Sequence, residues 1–120
     1  MHLSRDLPEL TFGNLIPELL RVVPEFNADE ADVRESITYL VFDQLVEFLF
    51  QLDPTAQAPV LQRAYGFLER AATSPDREVQ MLLRDVAWAI AGKWNFDTQK
   101  CFVGPQLMKV VKESPAGKHL

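Results

Sequence analysis

Residues 37–52 read ITYLVFDQLVEFLFQL, and apolar side chains dominate this stretch. Eleven of its sixteen residues are apolar or aromatic, and on a helix they cover more than one face. A helix that is apolar nearly all round is typical of a position inside a protein. We therefore predict that residues 29–52 form the buried central helix of a small bundle. The apolar residues make two stripes: Ile37, Leu40, Val41, Leu45, Phe48, Leu49 and Leu52, and Tyr39, Phe42, Val46 and Phe50.

A membrane-spanning role is not expected for this stretch. A helix needs about 20 apolar residues to cross a bilayer, and Asp43 and Glu47 interrupt the run. The N-terminal residues MHLSRDLPEL contain two acids and no apolar run of signal-peptide length. The single cysteine, Cys101, excludes an internal disulfide and fits a reducing compartment. We therefore expect a cytoplasmic protein with no membrane partner.

Length and composition predict one globular domain, and the helical spacing of its apolar residues predicts an all-α fold. The chain has 120 residues, of which 48% are hydrophobic and 24% charged, as is ordinary for a folded domain. We predict a domain over residues 1–113 with about five helices, and a flexible tail over residues 114–120. The helices are expected between Asn14 and Pro24, over residues 29–52, over residues 56–72, from Pro75 to about Ala91, and over residues 106–113.

Local signals mark the ends of the predicted fourth helix. In Thr73-Ser74-Pro75-Asp76, a hydroxyl cap, a proline in the first helical position and acids nearby are typical of a helix start. Gly92 is a typical C-terminal cap. Ahead of the first helix, an extended arm is expected to lie across the bundle through Leu7, Leu10 and Phe12.

Residues 93–103 are the least periodic part of the chain, and we predict a short helix or an irregular turn there. Trp94 and Phe96 are expected to pack against the bundle, although exposed aromatic side chains would be anchors for a protein interface. Cys101 has no histidine near it in sequence, so a buried or half-buried structural thiol is expected.

Charge is divided unequally along the chain. Residues 1–54 hold eleven acids and three arginines, whereas residues 55–120 hold six acids and nine lysines and arginines. The acidic half repels nucleic-acid phosphates, and the basic residues are scattered instead of clustered. Nucleic acid is therefore not expected as a partner. A basic protein fits this distribution better.

The motifs of common enzyme sites are absent from the sequence. His2 and His119 lie at the chain ends, where neither is expected to be held against a nucleophile. The sequence has no glycine-rich phosphate loop, no GxSxG, no paired CxxC and no HExxH. We therefore predict no catalytic residue, no cofactor-binding residue and no metal ligand.

Asp43 and Glu47 are one helical turn apart and face the same side of the predicted central helix. Carboxylates on facing helices bind metals in some bundles, but that design also needs a Glu-x-x-His motif, which this chain lacks. We interpret the pair as a solvated polar seam or as partners of Arg63, Arg70 or Arg84. The alternative is a metal-dependent hydrolase that uses Asp43 and Glu47.

The densest acidic patch flanks the start of the predicted central helix and contains one arginine, Arg34. Such a run is typical of a solvated helix end whose acids favour the helix dipole. The alternative is a recognition surface for a cationic protein, since complementary charge raises the rate of encounter. The candidate partner-binding residues are Glu25, Asp29, Glu30, Asp32 and Glu35, together with Asp43 and Glu47.

Three short motifs in order resemble a known family. They are Ile16-Pro17-Glu18-Leu19, Phe67-Leu68-Glu69 ahead of Ser74-Pro75-Asp76, and Gly104-Pro105-Gln106-Leu107. Over most of residues 15–112 the chain resembles small bacterial helical proteins of unassigned function. Some of these are encoded as immunity partners of polymorphic or contact-dependent toxins. The resemblance implies a compact protein without catalytic activity that occludes a toxin in the cytoplasm.

Two functional hypotheses follow. The first is a non-enzymatic immunity-type protein that neutralises a cognate toxin by binding it, with the acidic first half facing a basic groove. The second is a helical adaptor or regulatory module that docks through residues 94–102 on another chain, or on a second copy as a homodimer.

Overall fold

The computed structural model describes residues 8–116, which form an all-α single domain as predicted. No β-strand occurs in that range, and none of its helices is long and apolar enough to cross a bilayer. Six α-helices are joined by short connections, and two 3₁₀ turns precede the last helix. The helices are α1 (Leu15–Val22), α2 (Glu30–Arg34), α3 (Thr38–Leu49), α4 (Ala58–Ala72), α5 (Arg77–Ala91) and α6 (Pro105–Glu113).

The predicted continuous helix over residues 29–52 is wrong, because the chain breaks into α2 and α3 around Ser36. Ser36 has a φ of 55°, which belongs to the left-handed region. The amide of Ser36 donates to the carbonyl of Val33 at 3.1 Å, and that of Ile37 to the carbonyl of Asp32 at 2.9 Å. These two bonds form a Schellman motif that ends α2, with serine at the position usually taken by glycine.

The α3 helix is buried on one face only. Helices α1, α2 and α5 pack against α3, and they leave its outward side open. Leu40 is 45% exposed, and Ile37 and Tyr39 are also exposed. The prediction that the whole stretch is buried is therefore wrong at its N-terminal end. The buried face consists of Thr38, Val41, Phe42, Leu45, Val46 and Leu49.

Asp76 caps α5, in place of the predicted hydroxyl and proline. Its carboxylate accepts a hydrogen bond from the amide of Glu78 at 2.9 Å, so the helix begins at Arg77. The hydroxyl of Ser74 instead donates to the carbonyl of Leu10 at 2.6 Å. The end of α5 agrees with the prediction, with Gly92 at the C-cap.

The N-terminal arm crosses the junction between α4 and α5, as expected. Leu10 is buried, and the amide of Phe12 donates to Asp76 at 2.9 Å. Arg70 donates to the carbonyl of Pro8 at 3.0 Å. Leu7, the other residue of the predicted arm, lies outside the described residues.

Residues 96–102 form two 3₁₀ turns around a buried amide. Gln99 is fully buried; it accepts a hydrogen bond from the Tyr65 hydroxyl at 2.7 Å and donates to the carbonyl of Leu49 at 2.6 Å. Because a 3₁₀ helix repeats every three residues, Phe96, Gln99 and Phe102 share the inward side.

Two predictions for this segment are wrong. Trp94 is 93% exposed and does not pack into the core, whereas Phe96 does. Cys101 is exposed and is not a buried thiol. The physical reason is the period of the 3₁₀ turns, which turns Cys101 outward when Gln99 and Phe102 point inward.

Helix α6 is capped by a residue of α4. Gly104 supplies no capping side chain, so the carboxylate of Glu69 accepts the amides of Gln106 at 2.9 Å and Leu107 at 3.0 Å. A Cβ on residue 104 would lie 2.5 Å from Glu69 Oε1, so glycine makes room for this carboxylate. After α6, Ser114 is still buried, and the remainder of the predicted tail from residue 117 lies outside the described residues.

Candidate interaction surface

Three of the predicted partner-binding residues meet at one groove. Glu25, from the loop after α1, faces Asp43 and Glu47 of α3 across an open depression of about 430 Å³. The rest of its lining is Phe26, Asn27, Gln44, Phe48 and Gln51. We call these eight residues the acidic groove. It combines carboxylates from two segments that the sequence separates by about eighteen residues.

The acidic groove has an apolar component. The ring of Phe26 is buried, and its centroid lies 5.4 Å from that of the half-buried Phe48 at an interplanar angle of 49°. Tilted aromatic pairs at this separation are favourable beyond the area they bury. The pair holds the loop after α1 against α3 and thus sets the distance between Glu25 and the α3 carboxylates.

Gln44 joins α2 to α3 beside the acidic groove. Its side-chain oxygen accepts the amide of Asp29 at 2.7 Å, and its nitrogen donates to the carboxylate of Asp32 at 2.7 Å. Asp29 itself caps α2 by accepting the amide of Ala31 at 2.9 Å. Asp29 therefore caps α2, as the helix-capping interpretation predicts, whereas the contact between Asp32 and Gln44 was not predicted.

Two carboxylates of the acidic groove already have cationic partners. Arg63 donates two hydrogen bonds to Glu25, one of them at 2.9 Å, and this contact lowers the pKa of Glu25. Lys93 forms an ion pair with Glu47. Asp43 is exposed and has no hydrogen-bond or ion-pair partner within residues 8–116. It is the carboxylate of the groove that a ligand can reach without displacing another side chain.

The arginines predicted as partners of Asp43 and Glu47 are engaged elsewhere. Arg63 pairs with Glu25, Arg70 donates to the arm, and the Arg84 guanidinium lies 5.7 Å from the ring centre of Trp88. The partner that the sequence missed is Lys93, directly after α5. The sequence does not indicate this pair, because Lys93 and Glu47 are brought together only by the packing of α3 against α5.

The remaining predicted acids extend the negative surface. Glu30 and Glu35 are exposed at the two ends of α2 and do not line the acidic groove. Around this region, seven carboxylates are offset by three cations: Arg34, Arg63 and Lys93. The region therefore keeps a net negative potential that favours a cationic ligand.

The described residues contain no grouping suited to a metal ion. Within residues 8–116, no three His, Cys, Asp or Glu side chains are close enough together to hold one. Both histidines lie outside this range. Asp43 and Glu47 share a groove with Glu25, but the groove is lined by amides and phenyl rings otherwise, which suits recognition of another molecule better than ligation.

Comparison with known proteins gives no assignment. No family model, curated protein or solved structure matches the chain. The resemblance to immunity-associated helical proteins therefore stays a prediction. The function has to be inferred from the surface. The acidic groove is the place where the fold brings three of the predicted partner-binding residues together.

The sequence places Gln44 and Gln51 beside Asp43 and Glu47 on the helix, but it gives no sign of the aromatic members of the groove. In the sequence, Phe26 and Phe48 are recognisable only as apolar residues. Their contact depends on the path of the loop after α1. Gln44 carries a weak signal, because it is a polar residue in a stretch that is otherwise almost wholly apolar.

Proposed function

We propose that this chain is a non-enzymatic binding protein whose acidic groove takes a basic segment of a partner protein. The observation that carries this proposal is the convergence of Glu25, Asp43 and Glu47 beside the Phe26–Phe48 pair. Lysine and arginine side chains have an apolar stem and a charged head. In this groove the phenyl rings suit the apolar stem of such a side chain, and the carboxylates suit its charged head.

The partner is a cognate bacterial toxin with a basic surface, and the chain neutralises it by occlusion in the cytoplasm. The resemblance to immunity-associated proteins supports this choice, and so does the net negative charge of −5. Long-range attraction between opposite charges speeds encounter. The exposed acids Glu30 and Glu35 add to this attraction outside the groove.

The decisive measurement is the affinity for the purified toxin, determined by calorimetry over a range of sodium chloride concentrations. Affinity should fall as salt rises, because salt screens charges on both surfaces. Asp43→Lys should weaken binding by at least about tenfold, since it places a like charge against the basic segment. Asp43 has no partner within the described residues, so the fold should be unaffected by the substitution.

Asp97→Lys is the matched control, because Asp97 is an exposed acid in the first 3₁₀ turn and lies outside the acidic groove. It makes the same change in net charge and should leave the affinity within about twofold of the unaltered chain. An affinity that ignores salt, or equal losses for both variants, would show that the groove is not the binding surface.

The adaptor hypothesis keeps one specific observation in its favour. Trp94 is 93% exposed, and exposed tryptophans are enriched at the centres of protein interfaces. If an adaptor surface at residues 94–102 carries the function, Trp94→Ala abolishes partner binding while Asp43→Lys does not. The same pair of variants therefore separates the two functions.

A further inference from the structure

The outward face of α5 is only partly covered by the other described residues. Met81 is 49% exposed and Trp88 is 40% exposed, although both are large apolar side chains. They are seven residues apart, which places them two turns apart along the same side of the helix. The opposite side holds the core residues Val79, Leu82, Leu83, Val86, Ala87 and Ile90. Met81 and Trp88 thus lie on a helix face that points away from the bundle.

Two opposite charges lie midway between these apolar residues. Arg84 and Asp85 are both exposed, and neither forms an ion pair within residues 8–116. The Arg84 guanidinium lies over the ring of Trp88, 5.7 Å from its centre, and this contact orients it along the helix surface. The order along the face is therefore apolar, positive, negative, apolar.

The same order of side chains on a second, antiparallel α5 helix is complementary to the first. If two α5 helices pack antiparallel about a two-fold axis between residues 84 and 85, Met81 of each copy meets Trp88 of the other. Arg84 of each then meets Asp85 of the other. A two-fold interface uses the same patch on both subunits, so a single chain has to carry both halves of each contact. The outward face of α5 does so.

We propose that the outward face of α5 is a dimerisation surface whose occupant is a second copy of this chain, packed antiparallel. Contacts between methionine sulfur and an aromatic ring are favourable, and the two Arg84–Asp85 pairs fix the register. Arg77 of each copy lies near the C-terminal end of the other α5, where the helix dipole favours a cation.

A groove beside α5 receives the tryptophan of the second copy. The depression is about 620 Å³ and lies between α5 and α6, next to Met81. Leu83 and Val110 contribute apolar lining, and Arg84 and Glu113 stand at its polar side. Trp88 of the second copy, opposite Met81 in the antiparallel arrangement, is in position to cover this lining. None of these residues belongs to the acidic groove, so dimerisation is independent of partner binding there.

The oligomeric state tests this arrangement directly. Sedimentation equilibrium of the full chain with a reductant present, from micromolar to millimolar concentration, should show a monomer–dimer equilibrium. Arg84→Glu and Asp85→Lys should each weaken self-association by at least about tenfold, because each places two like charges in contact. Both side chains are exposed, and circular dichroism should show the same helix content as the unaltered chain.

Mixing the two variants provides the sharpest result. A 1:1 mixture of Arg84→Glu with Asp85→Lys should form a heterodimer, since each like-charge contact becomes an opposite-charge contact. The double variant should again form a homodimer for the same reason. A fully monomeric unaltered chain, unchanged association of the single variants, or a mixture that stays monomeric would each overturn the assignment.

The tryptophans supply a matched control. Trp88→Ala should abolish the dimer, whereas Trp94→Ala, which removes an even more exposed indole outside α5, should leave it unchanged. In a Trp94→Phe background, Trp88 is the one remaining tryptophan. Its fluorescence should shift to shorter wavelength as concentration rises. The reverse pattern, with Trp94 essential and Trp88 dispensable, would transfer the interface to residues 94–102.

Discussion

Gln99 shows how much a single buried amide organises in this protein. Its side chain lies between Tyr65 of α4 and the carbonyl of Leu49 at the end of α3, and it makes both hydrogen bonds inside the core. Burial raises the pKa of the Tyr65 hydroxyl, which therefore stays a neutral donor. Phe96 and Phe102 add apolar and aromatic contacts to these two hydrogen bonds and help to hold residues 96–102 against the core.

Replacing Gln99 with leucine should destabilise the protein by about 2 kcal/mol, because the buried Tyr65 hydroxyl loses its acceptor. The Leu49 carbonyl keeps a longer bond from the amide of Leu52. The measurement is the free energy of unfolding in urea. Adding Tyr65→Phe to Gln99→Leu removes the orphaned hydroxyl and should recover part of the loss. A fully additive double variant would show that the two side chains are not coupled.

At the scale of elements, the break between α2 and α3 decides which side chains reach the surface. Because α2 ends in the Schellman motif at Ser36, α3 starts in a new direction at Thr38 and presents Leu40 outward. In a continuous helix, residues 29–36 would keep the same axis as residues 38–49. The break also lets Gln44 of α3 reach back to Asp29 and Asp32.

Ser36→Gly should stabilise the protein by about 0.5–1 kcal/mol, since a left-handed backbone costs a residue with a Cβ more than it costs glycine. The matched control is Ser36→Ala, which removes the hydroxyl but keeps the Cβ. Thermal and urea unfolding of the three chains give the comparison. If glycine proves no more stable than alanine at this position, the positive φ of residue 36 is not retained in solution.

At the scale of the whole molecule, four carboxylates among residues 8–116 hold their negative charge more strongly in the folded state. The pKa values of Glu18 and Glu25 are lowered chiefly by hydrogen bonds from Arg21 and Arg63. Those of Asp53 and Asp76 are lowered chiefly by backbone amides. A folded pKa below the unfolded value adds stability above the unfolded pKa, and that stability is lost as the pH falls through the folded pKa.

We therefore expect stability to fall on acidification below the ordinary pKa values of 4.5 for glutamate and 3.8 for aspartate. Asp76→Asn should be less stable than the unaltered chain at neutral pH, because the amides of Phe12 and Glu78 lose a charged acceptor. Its stability should also fall less between neutral and acid pH. Urea midpoints at a series of pH values test both statements, and parallel curves for the two chains would contradict them.

Glycine and proline residues at helix ends explain which parts of the fold were predictable from the sequence. Pro59 near the start of α4, Gly92 after α5 and Pro105 at the start of α6 are local signals, and those helix ends lie at or within two residues of the predictions. The break at Ser36 has no glycine or proline to announce it. The cap of α6 comes from Glu69, which is 37 residues away from Gln106 in the chain.

The sequence predicts the acidic residues of the groove but not how the chain brings them together. Asp43 and Glu47 are neighbours because a helical turn separates them, which the sequence shows directly. Glu25 joins them only because Phe26 and Phe48 pack across two segments. The outward face of α5 carried a usable signal, since Met81 and Trp88 recur seven residues apart among charged residues.

Cys101 has a practical consequence for the study of both surfaces. It is the sole thiol of the chain and is exposed, so a maleimide dye can be attached at one defined position. It borders neither the acidic groove nor the outward face of α5, and fluorescence anisotropy of the labelled chain would report toxin capture and self-association alike. An exposed thiol is open to oxidation to an intermolecular disulfide, so Cys101→Ser keeps covalent dimers out of the self-association measurement.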